Sequence, residues 1–83
     1  MASHDVQVWG SMKPHTGGEG IVTLDGETVG ALLRDLVERY PGVEAQAADG
    51  IAVSIDGRIY QNSHEQPVPE GAEIVLLPRL KGG

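Results

Sequence analysis

The 83-residue sequence contains no cysteine and no phenylalanine, and its longest apolar run is the four residues "IVLL" at 74–77. Without cysteine the chain can form no disulfide framework, no thiolate metal site and no cysteine nucleophile. A membrane-spanning helix needs about 20 apolar residues, and a secretory signal needs a basic segment followed by an apolar one. The sequence has neither, so we expect a cytoplasmic protein with no membrane partner.

Basic residues are also scarce, because 6 Lys and Arg stand against 12 Asp and Glu, for a net charge of −6. This balance argues against nucleic acid and anionic lipid as partners and favours a basic protein surface. A chain of this length builds one small domain with little room for a deep catalytic cleft. We therefore predict a protein that is not itself an enzyme.

The first part of the chain predicts two strands joined by a long loop. In residues 6–9, "VQVW", apolar Val6 and Val8 alternate with Gln7, and "IVTLD" at 21–25 predicts the second strand. Between them, 10–20 is rich in Gly and contains Pro14, so we expect an irregular hairpin loop there. Trp9 is expected to pack on or beside this sheet.

Residues 28–40 show the period of an amphipathic helix. Its apolar stripe consists of Val29, Leu32, Leu33, Leu36, Val37 and Tyr40. Its solvent side consists of Arg34, Asp35, Glu38 and Arg39. Thr28 is placed to cap the N-terminus, and Pro41 with a left-handed Gly42 is expected to end the helix.

The second half predicts a strand at 51–56, a turn at Gly57 and Arg58 into a short strand, and a last strand at 73–77 ended by Pro78. One helix must cover one face of the sheet that these strands form. The predicted fold is an α+β roll with a mixed sheet of four to five strands. The predicted domain is 1–78, followed by a flexible tail, 79–83, that ends in Gly-Gly.

The last strand is apolar at every position from 74 to 77, although a single helix covers only one face of a sheet. We expect Val75 and Leu77 to point away from the helix and to form, with Pro78, an exposed surface that binds a partner. The competing interpretation is a central strand that is buried on both faces.

The order of these elements resembles the β-grasp, or ubiquitin-like, fold. The segment "PEGAEIVLLPRLKGG" resembles the C-terminal signature of the ThiS/MoaD family of sulfur carriers, and "KPHTGGE" with "GETVGALLRDLVERYPGV" resembles its CysO-like branch, whose members deliver sulfur for cysteine synthesis. The sequence departs from the family at Arg79 and Lys81, where small apolar residues are usual. There, "RLKGG" is similar to the tail of ubiquitin.

The resemblance implies a specific chemistry at the last residue. A partner enzyme of the ubiquitin-activating type, similar to ThiF or MoeB, uses ATP to adenylate the carboxylate of Gly83. A sulfur donor, either a sulfurtransferase or a cysteine desulfurase, then displaces AMP and leaves a thiocarboxylate. Gly82, Lys81, Leu80 and Arg79 would thread into the partner's active site, and the carrier itself would bind no cofactor.

The resemblance leaves the recipient of the sulfur open. It implies a client synthase, which is a cysteine synthase, the large subunit of molybdopterin synthase or an enzyme of thiazole or related metabolism. It is also compatible with a processing metalloprotease as a further partner. The alternative function is a ubiquitin-like modifier that is conjugated to proteins through Gly83. A third interpretation is a plain binding module in which the two glycines have no role.

Other candidate sites are weak. His4, His15 and His64 lack the spacing of metal ligands, so no metal site is predicted. The loop 10–20 does not have the spacing of a phosphate-binding loop and is not expected to open a helix. Glu65, Glu70 and Glu73 fit a solvated acidic rim better than a catalytic carboxylate pair.

Overall fold

The computed structural model describes residues 3–45, 50–61 and 63–78. In chain order the elements are β1 (Ser3–Val8), a first 3₁₀ helix (Gly10–Thr16), β2 (Ile21–Asp25), α1 (Val29–Arg39), a second 3₁₀ helix (Pro41–Val43), β3 (Ile51–Ile55), β4 (Arg58–Tyr60) and β5 (Ile74–Pro78). The strands form one mixed sheet in the order β2-β1-β5-β3-β4. β1 and β5 run parallel, and the other neighbours are antiparallel. This is the predicted roll.

The core lies between α1 and the helix-facing side of the sheet. Its buried members are Val6, Val8, Val22, Leu24, Val29, Leu32, Leu36, Val43, Ile51, Val53, Ile55, Val68, Ile74 and Leu76. Every second residue of each long strand is among them, because successive side chains of a strand point to opposite faces. The predicted helical stripe is confirmed, with Leu33, Val37 and Tyr40 packing partly buried at its margin.

The first amide groups of α1 are hydrogen-bonded to other groups of the chain. As predicted, Thr28 is the N-cap, and its Oγ1 accepts a hydrogen bond from the Ala31 amide at 3.2 Å. The amide of Val29 donates to the carbonyl oxygen of Gln66 (3.0 Å), and that of Gly30 donates to the carbonyl oxygen of His64 (2.9 Å). The first N–H groups of a helix lack partners within the helix, so these bonds also fix the loop that follows β4.

The predicted left-handed glycine at the end of α1 is wrong. Gly42 does not have a positive φ and lies inside the second 3₁₀ helix. A Cβ atom at Gly42 would lie 3.4 Å from Nδ1 of His15. That is an ordinary contact distance, so the approach of the two 3₁₀ helices does not require glycine at this position. Pro41 follows the C-cap residue Tyr40, and the helix ends before it as predicted.

The loop between β1 and β2 is more regular than predicted. It holds the 3₁₀ helix Gly10–Thr16, which ends at Gly17 with φ 70°. The hydroxyl of the fully buried Thr16 lies 3.0 Å from the carbonyl oxygen of Lys13 and 2.9 Å from that of Glu19, so it can donate to either one. These local bonds hold the loop against the end of the sheet.

Three predicted strand boundaries also shift. β1 begins at Ser3, because the buried His4 extends the alternation of inward side chains. Asp56 and Gly57, with φ of 50° and 88°, form the two-residue turn between β3 and β4, so Arg58 belongs to a strand and not to the turn. β5 includes Pro78, which pairs with Ile51.

Asp35, predicted to lie on the solvent side of the helix, instead joins α1 to β2. Its Oδ2 accepts hydrogen bonds from the backbone amide of Asp25 and from Nε of Arg39, both at 2.8 Å. Arg39 also donates to Oδ2 of Asp25 at 3.0 Å. The side chain of Asp35 is accordingly only 19% exposed.

Candidate functional site

The last described strand leaves the domain from the middle of the sheet. β5 lies between β1 and β3, with Leu76 opposite Val8 and Pro78 opposite Ile51. The amide of Trp9 donates to the carbonyl oxygen of Leu76 at 3.3 Å, which extends the contact with β1. The last described residues of β5 are therefore held between β1 on one side and β3 on the other. We call this end of the sheet the tail end.

The predicted tail residues lie outside the described residues. These are Arg79, Leu80, Lys81, Gly82 and Gly83. Their predicted roles, and the predicted division of the chain after residue 78, stay predictions. The side chain of Pro78 is likewise not described.

The face of the sheet opposite α1 carries a row of residues in register across all five strands. Gln7 pairs with Ile21 on one side and with Val75 on the other. Ser54 pairs with Val75 and Ile59. Neighbouring strands lie about 4.8 Å apart, so the row spans about 19 Å.

The exposed large apolar residues of the described ranges are Trp9 (56%), Ile21 (59%) and Ile59 (52%). The alternation of the strands places all three on this outer face, and the extended backbone of Trp9 (φ −116°, ψ 156°) continues the alternation of β1 to the level of Leu77. We name Trp9, Ile21, Ile59, Val75 and Leu77 the outer-face patch. Grouped exposure of this kind is typical of a protein-binding surface.

Val75 and Leu77 point to the outer face, but Val75 is not the exposed residue that we expected. It is only 9% exposed, while Leu77 is partly exposed. Val75 lies between Gln7 and Ser54 in the middle of the sheet, and these neighbours cover it. Most of the accessible apolar area therefore comes from other members of the patch.

Trp9, Ile21 and Ile59 were not predicted to act together. Ile21 and Ile59 belong to the two edge strands and Trp9 follows the end of β1. Local sequence does not reveal the register that places Ile21 and Ile59 in one row with Val75. The signal in the sequence that could have identified two of them is an apolar residue at an outward-facing position of each edge strand, Ile21 in β2 and Ile59 in β4. Trp9, expected to pack on or beside the sheet, is more than half exposed.

The remaining surface offers little chemistry. Within residues 3–45, 50–61 and 63–78, no three His, Asp or Glu side chains are grouped so that they could hold a metal ion. In the same ranges, no helix is long and apolar enough to cross a membrane. An open groove of about 490 Å³ runs between α1 and the loop after β4, lined in part by Leu33, Arg34, Val37 and His64.

The model of the ThiS family matches residues 6–83, which is nearly the whole chain, from β1 to the terminal glycine. The chain belongs to the ThiS family. With curated relatives that are sulfur carrier proteins, this family assignment makes the chain a small carrier and not an enzyme. The predicted family is confirmed.

A curated relative of this ThiS-family chain is the sulfur carrier protein CysO of Mycobacterium tuberculosis. It is 26% identical over 83 residues, which cover 87% of this chain and 89% of the relative. The structure is also similar to that of the BexX/CysO complex of Amycolatopsis orientalis, with a TM-score of 0.74, 25% identity and all of both chains covered. In that complex a CysO protein is bound to a partner.

The fold is shared more widely. The small archaeal modifier protein 1 (SAMP1) of Methanosarcina acetivorans gives a TM-score of 0.76 at 23% identity, covering 100% of this chain and 98% of that chain. At this identity the likeness concerns the fold alone. Together these structures confirm the predicted β-grasp architecture for the ThiS-family chain.

Proposed function

We propose that the chain carries sulfur as a thiocarboxylate on Gly83. An ATP-dependent partner similar to ThiF or MoeB adenylates the terminal carboxylate and releases pyrophosphate. Sulfur at the oxidation level of hydrosulfide then attacks the carbonyl carbon, AMP leaves, and the terminus becomes a thiocarboxylate. Activation is needed because the carboxylate oxygen is a poor leaving group and its charge repels nucleophiles.

The observation that carries this proposal is the family match, which continues to Gly83 beyond a strand held at the centre of the sheet. Five extended residues, 79–83, would reach at most about 17 Å past the domain. Glycine at positions 82 and 83 gives the terminus the smallest cross-section and the widest choice of backbone angles in a narrow channel. Pairing on both sides keeps the base of the arm in place while the terminus reacts.

The outer-face patch supplies a docking surface for the partner enzymes. Ile21 and Ile59 lie at opposite ends of the row, so a flat apolar partner surface could contact both without disturbing the core. The resemblance of the first loop and of the helix segment to the CysO-like branch favours a cysteine synthase as the client. The partners proposed upstream are the adenylating enzyme and a sulfurtransferase or cysteine desulfurase, whose persulfide sulfur a thiol reductant releases at the hydrosulfide level.

The test is to produce the protein together with an adenylating enzyme and a sulfur source and to weigh it intact. We expect the mass gain of one oxygen-to-sulfur replacement and, since the chain has no cysteine, a thiol-directed alkylating reagent should label the terminus alone. Deletion of Gly83 should abolish both signals. The control is Glu38→Ala, which changes an exposed residue on the helix side of the domain and leaves the terminus intact.

A second candidate function is conjugation to other proteins through Gly83. It is favoured by "RLKGG", in which Arg79 and Lys81 resemble the tail of ubiquitin. An amide bond between Gly83 and a lysine would shift tagged protein to higher mass, and the product would resist reducing agents. If such conjugates form and no thiocarboxylate does, the modifier function replaces the carrier function.

A further inference from the structure

The outer edge of β2 has two neighbouring residues with open backbone groups. β2 is an edge strand, and the amide of Val8 donates to the carbonyl oxygen of Gly20 at 2.9 Å. In an antiparallel pair, hydrogen-bonded residues alternate with residues whose N–H and C=O groups point away from the partner strand. Ile21, Thr23 and Asp25 are therefore the residues of β2 whose backbone groups face outward.

At one end of this edge the outward backbone amide is hydrogen-bonded, and along the rest of it the outward backbone groups have no partner among the described residues. The outward amide of Asp25 is occupied by the Asp35 carboxylate. Within the described ranges, the N–H and C=O groups of Ile21 and Thr23 bond to no other group. Open edges invite pairing with another chain, and proteins usually protect them. Here the protection covers the Asp25 end of the edge and does not extend to Ile21, which is 59% exposed.

The charge around β2 selects the kind of strand that can pair with it. The acidic groups on or next to the strand are Asp5, Glu19, Asp25, Glu27 and Asp35. The cations there are Arg39, already bound to two of these carboxylates, and Lys13, whose side chain lies against Gly20. Five carboxylates against two cations leave three negative charges, so a strand with lysine or arginine is favoured.

The same charges oppose pairing with a second copy of this chain. An antiparallel register with Ile21 opposite Thr23 would bring Asp25 close to Glu19 of the other copy, twice per dimer. A register with Thr23 opposite itself would place Ile21 against Asp25. Like charges directly opposite each other destabilise a strand pair, and each copy also carries a net charge of −6.

We propose that the edge of β2 at Ile21 and Thr23 binds an extended, lysine- or arginine-bearing segment of a partner protein by strand addition. Main-chain hydrogen bonds to Ile21 and Thr23 would supply the affinity, while apolar contact with Ile21 and the surrounding carboxylates would select the segment. This site includes none of residues 79–83, and its use requires no adenylation.

The test uses hydrogen exchange and amide chemical shifts measured by NMR. In the free protein we expect the Ile21 and Thr23 amides to exchange fast, while those of Val22 and Leu24 exchange slowly. A blocked synthetic peptide of alternating valine and lysine should slow the first two at least tenfold at saturation. The corresponding valine and glutamate peptide should not.

Two variants distinguish strand pairing from a general attraction of charge. Thr23→Pro removes an outward amide without breaking a bond to β1, so it should abolish protection by the lysine peptide. Ile59→Pro is the matched control, because Ile59 faces the opposite edge of the sheet in the same way, and it should bind the peptide normally. If Thr23→Pro does not fold, Thr23→Lys should weaken binding of the lysine peptide.

Several outcomes would overturn the proposal. These are slow exchange of Ile21 and Thr23 in the free protein, equal binding of the two peptides, or shift changes that map to α1 or β4. Because thiocarboxylate formation is read by mass and does not enter this experiment, either proposal can fail while the other stands.

Discussion

Leu76 and Leu77 are neighbours of the same residue type in opposite surroundings. Leu76 is fully buried against α1, and Leu77 is a partly exposed member of the outer-face patch. Leu76→Ala should lower the free energy of unfolding by about 2–5 kcal/mol, because it removes contacts and leaves a cavity. Leu77→Ala should lower it by roughly 1 kcal/mol, since less apolar area is uncovered.

Urea denaturation measures the two losses, and Leu76→Val provides a milder core variant if Leu76→Ala is unfolded. Equal losses at 76 and 77 would contradict the assigned orientation of β5. In the thiocarboxylate assay the docking role proposed for Leu77 predicts the reverse order for variants that remain folded, because the fully buried Leu76 is not accessible to a partner.

Which residues of β5 face the core could be predicted only in part. The run 74–77 is apolar throughout, so alternation could not select a face, and only the argument that one helix covers one side placed Val75 and Leu77 outward. The low exposure of Val75 depends on its cross-strand neighbours Gln7 and Ser54. Those neighbours come from distant parts of the chain, and no local pattern identifies them.

The start of α1 depends on one side chain that the sequence identified. Thr28→Ala removes the bond from the Ala31 amide to Oγ1 and should lower the free energy of unfolding by about 1 kcal/mol. Ser63→Ala is the matched control, since its hydroxyl bonds only to the nearby Gln61 carbonyl oxygen in an exposed loop. We expect that variant to unfold with nearly wild-type stability; an equal loss would show that Thr28 acts otherwise than as a cap.

Elements in which apolar residues repeat regularly over many positions were predicted well. Elements stabilised mainly by local hydrogen bonds were not. Helix α1 carries five of the six predicted stripe residues at helical spacing, with Tyr40 as its C-cap, and this spacing fixes its position and its buried face. The 3₁₀ helix Gly10–Thr16 has no such apolar period. It is stabilised instead by its three-residue turns around Pro14 and by the hydrogen bond of the buried Thr16 hydroxyl. Asp35 was missed for a different reason, since its bond to the Asp25 amide on β2 is a tertiary contact that the helical period does not show.

At the scale of the whole molecule, the two ends of the sheet carry different kinds of residues. The tail end bears Pro78, Trp9 and Leu77, whereas the opposite end of the sheet carries Asp25, Asp56 and Glu73. The sequence adds Arg79 and Lys81 after the tail end. An adenylating enzyme that contacts the patch and receives the tail would therefore meet apolar and cationic groups first, with the acidic end turned away.

This separation predicts distinct kinetic effects for the patch and for the terminus. Ile59→Lys places a charge in the outer-face patch, on the edge strand β4 and outside the proposed reactive tail 79–83. An interaction made equally in the bound state and the transition state affects KM without affecting kcat. We expect KM of the adenylating enzyme for the carrier to rise roughly tenfold, the effect of losing about 1.4 kcal/mol of binding, with kcat unchanged.

Glu38→Ala is the control for this prediction, because Glu38 is exposed on the helix side of the domain and should leave both constants unchanged. Substitution of Gly82 by valine should show the opposite pattern, since a side chain beside the reacting residue would hinder the chemical step more than docking. A fall in kcat with constant KM for Ile59→Lys would contradict the docking role of the patch. It would mean that the sheet face positions the terminus during adenylation, and that the carrier domain takes part in the chemical step through its outer face.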